Sequence, residues 1–409
     1  MSALSAEPEI ILDLSRLLSR LWHVTPTGVD RCEMAYARGL LAAVPDRLSF
    51  AAVHPSGVHG RLRRDHALSF LDWTENRWNR STDRSTWEIN RFAMRALIAL
   101  RPHAHRPSGK SKPFYVQASP NNLSNPRLIA NVLQKTNGSF VCLLHDLIPL
   151  QFPEYARVGG ARQHRTRIET MLINAAGIVC NSHATLAALR PWMDKLGRHP
   201  TAVAAHLGTH HHAPSGSGGH RAEGDRPYFV CVGTIEPRKN HLLLLNLWRQ
   251  MAEDRGTHDI PKLILIGRRG WENEQVVDML ERCPALRECV EEQGRLSDDE
   301  VSAVLAGARA LLLPSFAEGY GMPVTEAMAI GVPILCSDLP ALREAGAGIP
   351  DYLDPLDGRG WRAAIEDFAR PDSVRRAAQI AAMSDWTPPR WADHIDTLLG
   401  LLEDLRVAQ

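Results

Sequence analysis

Two glutamates eight positions apart, Glu318 and Glu326, lie in PSFAEGYGMPVTEAMAIGVPIL and bracket a glycine-rich turn. A short apolar run precedes the turn and a helix-forming run follows it. Gly319 and Gly321 permit close backbone approach, so amides around Tyr320, Gly321 and Met322 can donate to phosphate oxygens. Glu326 falls on the first turns of the predicted helix, where the positive end of the dipole favours a carboxylate. Carboxylates accept paired hydrogen bonds from vicinal hydroxyls, which suits a ribose at Glu326 and a hexose at Glu318. The plain alternative is a capped loop carrying two surface acids.

A second segment, VGTIEPRKN at 232–240, ends an apolar strand-like run and places Arg238 and Lys239 where a helix should begin. Gly233 stands where the backbone must turn, with Thr234 after it. Exposed amides at such a helix start attract anions, and the two cations add full charges. A solvated Arg-Lys pair at an ordinary turn is the competing explanation. Together the two segments describe a pocket for an anionic leaving group and a polyhydroxylated ligand.

The elements that must position these residues alternate between strand and helix in two halves. In the first, EIILDLS (9–15), SFAAVH (49–54), PFYVQAS (113–119), SFVCLLHD (139–146), GIVCNS (177–182) and TAVAAHLG (201–208) are strand-like, with a helical pattern over 29–43 and helix-like stretches between the later runs. Residues 209–226, THHHAPSGSGGHRAEGDR, have linker composition. Then the alternation restarts with YFVCVGT, a helix at 240–253, KLILIG, a helix near 273–283 and CVEEQG. Ser297–Asp298–Asp299–Glu300 is a capping box opening the next helix, and ALLLPS, the helix after Met322 and PILCSD complete the core. Such alternation predicts an α/β fold of two Rossmann-like, doubly wound parallel-sheet domains, 1–215 and 216–385, facing across a cleft, with ligands beyond the carboxyl ends of the strands. A helix at 386–409 follows a Pro-Pro break and can pack back on the N-terminal domain; composition alone does not choose its partner.

With 409 residues and a formal net charge of +1, the chain has room for two domains and no global attraction to nucleic acid. Its seven cysteines form no CxxC pair and read as small buried hydrophobes in a reducing compartment. The start MSALSAEPEIILDLS lacks the basic and apolar regions of a signal peptide, and no run of about 18 apolar residues suits a membrane span. A cytoplasmic location is expected, with peripheral contact at the inner face of a membrane as an addition. The histidines 206, 210, 211, 212 and 220 have no tight metal-ligand spacing, and a flexible linker is the preferred reading of the cluster over a metal site.

VGTIEPRKN, GRLSDDEV, LLLPSFAEGYGMPVTEAMAIGVPILCSD and DYLDP resemble the retaining glycosyltransferases of family 4, which have the GT-B fold. The resemblance runs through most of 228–356; TPTGVDR (25–31) and LLHDLIPL (143–150) match more weakly. It implies a nucleotide-diphosphate sugar donor, with Lys239 and Arg238 on the diphosphate, Glu326 on the ribose and Glu318 on the transferred sugar. It also implies backbone around Leu296 beside the base, His145 on the donor sugar and Gly28 letting the first loop approach the phosphate. Many relatives carry Arg directly after the glycine of the first motif, where this chain has Thr234. Part of the phosphate charge must then come from Arg238, Arg268 or Arg269. Cofactor and metal are not expected, because cations and amides can carry the leaving group. The acceptor class implied is a saccharide or lipid-linked saccharide in surface polysaccharide biosynthesis, with mannose the preferred sugar. A sugar-nucleotide epimerase, a phosphorylase and an inactive nucleotide-binding scaffold of similar architecture are the competing readings.

His145 ends a strand, where a histidine serves equally as a structural residue. Asp146 beside it could orient a ring nitrogen, although adjacent strand residues point to opposite faces. Residues 60–112 carry twelve Lys/Arg against five Asp/Glu, a local balance of +7, with Trp73, Trp78, Trp87 and Phe92 interspersed. This segment suits anionic lipid or a lipid-diphosphate acceptor, or is a solvated helical insertion whose aromatics pack inward. No nucleic-acid motif accompanies it.

Overall fold

The computed structural model describes residues 7–23, 25–79, 86–103, 111–210, 226–294 and 296–408. Most of the linker expected at 209–226, with His211, His212 and His220, lies outside the described residues. The chain divides into two compact units, one made of Met1–Gln151, Val158–Gly208 and Arg390–Gln409, the other of Phe152–Arg157 and Thr209–Pro389.

The first unit is built on a seven-stranded sheet of β1 (Ile10–Asp13), β2 (Leu48–Val53), β3 (His59–Arg61), β4 (Phe114–Gln117), β5 (Ser139–Leu144), β6 (Ala175–Cys180) and β7 (Thr201–Ala204). Its order is β3-β2-β1-β4-β5-β6-β7, parallel throughout except for the antiparallel β2–β3 pair. Strands β1, β4 and β5 are buried at every position, as expected for strands covered on both faces. One side of the core gathers Tyr115, Phe140, Ile168, Met171 and Ile178. Beyond β1, the helix Gly28–Ala43 starts with a capping box in which Thr27 and Asp30 satisfy each other's backbone amides.

The C-terminal helix Trp391–Val407 packs on this first unit, against the helix Gly28–Ala43 and strands β6 and β7. Small residues make the seat: a Cβ on Gly39 would lie 2.6 Å from Ile395 Cγ1, and one on Gly177 2.9 Å from Leu405 Cδ1. His394 Nδ1 donates to the Ala205 carbonyl at 3.1 Å, so its Nε2 accepts the Tyr36 hydroxyl at 2.8 Å. Burial pushes the imidazole down to about 4 and keeps it neutral.

The second unit holds β8 (Tyr228–Val232), β9 (Lys262–Ile266), β10 (Val290–Gln293), β11 (Leu311–Leu313), β12 (Ile334–Ser337) and β13 (Asp351–Leu353) in the order β10-β9-β8-β11-β12-β13, all parallel. This is a doubly wound order whose direction of growth reverses between β8 and β11. Phe229, Trp248, Trp361 and Phe368 dominate one core layer. Both indoles are satisfied, Trp248 by the Pro261 carbonyl at 2.8 Å and Trp361 by that of Asp354 at 3.0 Å.

Leu398 and Leu402 on the C-terminal helix are buried. Leu398→Ala and Leu402→Ala should each destabilise the protein by about 2–5 kcal/mol. A lowered urea midpoint checks this; an unchanged one would mean the helix is not part of the cooperative first unit.

Candidate functional site

In an open α/β sheet, ligands bind where the strand order reverses, because the loops leaving the two central strands diverge there. In the second unit those loops follow β8 and β11, and they carry both sequence-predicted motifs. The β8 loop begins at Gly233, whose φ of 146° favours glycine. It is crossed closely by the loop after β9: a Cβ on Gly267 would lie 1.9 Å from the Gly233 carbonyl oxygen. A tight turn Pro237–Lys239 follows, and Asn240 with φ 54° redirects the chain into the helix His241–Arg255. The β11 loop closes at Gly321, whose φ is 107°, before the helix Met322–Ala329.

Side chains from the two loops meet at Glu318. Lys239 Nζ donates to Glu318 Oε1 at 2.5 Å, and Ser315 Oγ donates to the same oxygen at 2.7 Å. Arg238 Nη1 donates to Glu318 Oε2 at 2.9 Å and to the Ala317 carbonyl at 3.0 Å, while its Nε pairs with Glu236 at 2.6 Å. A backbone bond from Phe316 N to the Arg238 carbonyl, 2.8 Å, ties the loops directly. Only 9% of the Lys239 side chain and 7% of that of Glu318 are exposed. Burial alone would raise the Glu318 carboxyl, but Lys239 and Arg238 outweigh it and hold it at about 2. Glu236 has the opposite balance: burial prevails over Arg238 and Lys239, and its carboxyl is raised. His241 adds no third cation, since burial and the neighbouring Lys239 push it down to about 4.

The remaining predicted residues of this unit are distributed around the same edge. Thr234 packs beside the β9 loop, where a Cβ on Gly270 would lie 2.7 Å from its Cγ2. Tyr320 is buried in the β11 loop, and Met322 and Glu326 lie on the helix Met322–Ala329. Leu296 is half-buried just before Ser297, which caps the helix Asp298–Ala306 through the expected box with Glu300. Arg269, one of the cations considered for the place that Thr234 leaves uncharged, is instead engaged by Glu292 at 2.8 Å and by Glu281.

Gly28 and His145 belong to the first unit. Gly28 opens the helix after β1, behind the Thr27 cap. His145 follows β5, and its Nε2 donates to the Ala118 carbonyl at 2.8 Å. Nδ1 is therefore the acceptor nitrogen, and burial lowers the pKa so that the ring stays neutral. Asp146 does not orient the ring; its carboxylate accepts the Ile148 amide at 3.0 Å and caps the short helix that follows.

Sequence reasoning missed several groups. Ser315 and Glu236 stand inside the quoted motifs, and hydrogen-bonding side chains within such a motif were the available signal. Tyr155 stacks on Phe316 with centroids 5.5 Å apart, and its carbonyl accepts from Trp271 Nε1 at 3.2 Å. Nothing in the sequence links these distant positions. In the first unit Asp13 and Glu33 are buried acids near the end of β1. Tyr115 and Ser15 donate to Asp13, and the Leu17 amide donates to Glu33 Oε1 at 2.9 Å. Burial and the nearby Asp13 push the Glu33 carboxyl up to about 8.

The fold and the edge cluster define a two-unit α/β protein of the GT-B class. Residues 217–346 match the family model for glycosyl transferases group 1. A serotype-specific mannosyltransferase WbdA of Escherichia coli is 26% identical over 274 residues, covering 61% of this chain and 33% of its own length. The O-antigen chain mannosyltransferase B of Escherichia coli is 33% identical over 165 residues, 40% of this chain and 42% of the relative. The chain thus spans well under half the length of these curated relatives. Among solved structures, Anabaena Alr3699/HepE in complex with UDP and glucose shares the fold with a TM-score of 0.63 at 14% identity, over 97% of this chain and 100% of that one.

Two pH dependences follow. The Glu318 carboxyl is held below its ordinary value of 4.5, so its contribution is present above that value and is lost as pH falls toward 2. Glu318→Gln should lower stability by about 3 kcal/mol at neutral pH, a deficit that shrinks as the medium is acidified. Glu33 has the opposite sign, because its folded form keeps a proton the unfolded chain releases; wild-type stability falls as pH rises from 4.5 to about 8. Glu33→Gln should gain on the wild type by on the order of 1–3 kcal/mol at alkaline pH. Urea denaturation across pH measures both, and parallel wild-type and variant curves would refute them.

Proposed function

We propose that the protein is a retaining glycosyltransferase of family 4. It moves a hexose, with mannose preferred, from a nucleotide-diphosphate sugar to a saccharide or lipid-linked saccharide acceptor in surface polysaccharide assembly. The observation that carries this reading is the Lys239–Glu318–Arg238 cluster at the reversal of the second sheet. The mannosyltransferase relatives favour the sugar, and the UDP and glucose complex of the structural neighbour favours the donor class.

The chemistry follows from the charges. The bond between the anomeric carbon and the diphosphate oxygen breaks, and its electron pair leaves with the phosphate. Lys239 has three N–H donors and Glu318 takes one, so the ammonium is fixed in place while retaining donors for phosphate. Amides at the start of the helix Met322–Ala329 and Arg238 share the developing charge. The acceptor hydroxyl oxygen bonds to the anomeric carbon on the face the phosphate leaves, and its proton passes to the departing phosphate. Glu318 is neither base nor nucleophile: a carboxylate held at about 2 takes up protons poorly and has its lone pairs engaged by three donors. Glu326 binds the ribose, and Gly233, Thr234, Tyr320, Gly321, Met322 and Leu296 line the donor. No cofactor or metal takes part in this scheme.

Lys239→Ala should reduce turnover by roughly 10²–10³-fold, the usual loss when one leaving-group donor is removed. Glu326→Ala should mainly weaken donor binding, read as a smaller thermal shift with GDP, UDP or dTDP sugars. Transfer to a saccharide acceptor is measured alongside. Wild-type behaviour of both variants would overturn the assignment, and conversion of the donor sugar without an acceptor would indicate an epimerase.

A further inference from the structure

The helix Thr86–Ala99 separates its residues by face. Ile89, Ala93 and Ala96 are buried, whereas Trp87, Met94 and Ile98 are exposed by 64%, 57% and 73%. With about 100° between successive residues, Trp87, Arg91, Met94 and Ile98 form one outward stripe. The Arg91 guanidinium lies 4.6 Å from the centroid of the Trp87 ring, so charge and aromatic surface are presented together. The other aromatics of this region behave differently: Trp78 is buried, and Trp73 stacks on Phe92.

Beside the end of the stripe is an open pocket of about 750 Å³ lined by Arg63, His66, Arg95, Ile98, Arg101 and His103. His66 Nδ1 donates to the Ala99 carbonyl at 2.8 Å, which fixes one wall against the helix. Arg63 is paired with Asp65 at 2.9 Å. Among the described residues Arg95 and Arg101 have no acidic partner.

We propose that this face docks on an anionic membrane surface, with Trp87, Met94 and Ile98 entering the headgroup boundary and Arg91, Arg95 and Arg101 meeting lipid phosphates. An apolar stripe flanked by arginines is the pattern by which a helix lies in a bilayer interface. The charge chooses this occupant over a second copy of the chain, because pairing the stripe with itself would bring Arg91 and Arg95 toward their own counterparts. Among the described residues no helix is long and apolar enough to cross a membrane, so contact through these elements would be from the surface. The inference stands apart from the transfer reaction, since none of its residues belongs to the donor site.

Sedimentation of the full chain with vesicles tests it, comparing phosphatidylcholine alone with phosphatidylcholine mixed with phosphatidylglycerol. The wild type should bind the anionic vesicles preferentially and lose that preference in high salt. Trp87→Ser with Ile98→Ser should weaken binding by roughly tenfold or more through lost apolar insertion. Arg95→Ser with Arg101→Ser should do the same and flatten the salt dependence. Melting temperature and nucleotide-induced thermal shift should stay at wild-type values in both. Equal binding to both vesicle types, or wild-type binding by both variants, would overturn the proposal. So would release of the wild type from anionic vesicles by soluble glycerol phosphate while the Trp87/Ile98 variant binds normally, which would mark the pocket as a site for a free anion.

Discussion

The buried ion pair between Lys239 and Glu318 is the constraint on which the second unit's edge depends. Taking three charged side chains out of water is costly, and the cost is offset only if each finds close partners. Ser315 and the Ala317 carbonyl complete the shell, so the cluster has essentially one arrangement. That arrangement requires the loops after β8 and β11 to meet. The sharp turn at Gly233 and the left-handed Gly321 let them do so, and the bare face of Gly267 lets the loop after β9 lie against the first of them. A side chain at Gly267 would strike the Gly233 backbone itself, which has no room to yield.

The same cluster separates binding from proton transfer. A carboxylate near two cations remains ionised through the physiological range, so Glu318 contributes position and field. The ammonium it holds is already desolvated and oriented, and charge appearing on a leaving phosphate would find it without reorganisation. Thr234 in place of a basic residue makes this preorganisation more important. Of the candidate replacements, Arg238 belongs to the cluster and Arg269 is engaged with Glu292 and Glu281.

Much of this was legible in the sequence because it depended on local rules. Alternating apolar runs marked the principal strands, and Ser297–Glu300 announced its helix through a capping box that the structure contains. The glycines at 233 and 321 were placed where the chain turns, and both have positive φ. What stayed hidden was pairing over distance. Lys239 and Glu318 lie 79 positions apart, and no local rule states that the two motifs would neutralise each other. The edge strands His59–Arg61 and Asp351–Leu353 are three residues each, too short to show a period. Residues 152–157 count with the second unit although their neighbours in sequence count with the first. The aromatics of 60–112 were visible as a group, but only helix phase shows that Trp87 faces out and Trp78 in.

The two units share a doubly wound topology and place buried carboxylates near the ends of comparable strands, yet their charge states diverge. Glu318 has two cations at hydrogen-bond distance and stays ionised at about 2. Glu33 is deprived of water next to another acid, Asp13, and is pushed up to about 8. Neighbours, not topology, set the difference. An anion arriving at the edge of the second sheet would meet donors and positive charge, whereas the buried acids of the first supply neither.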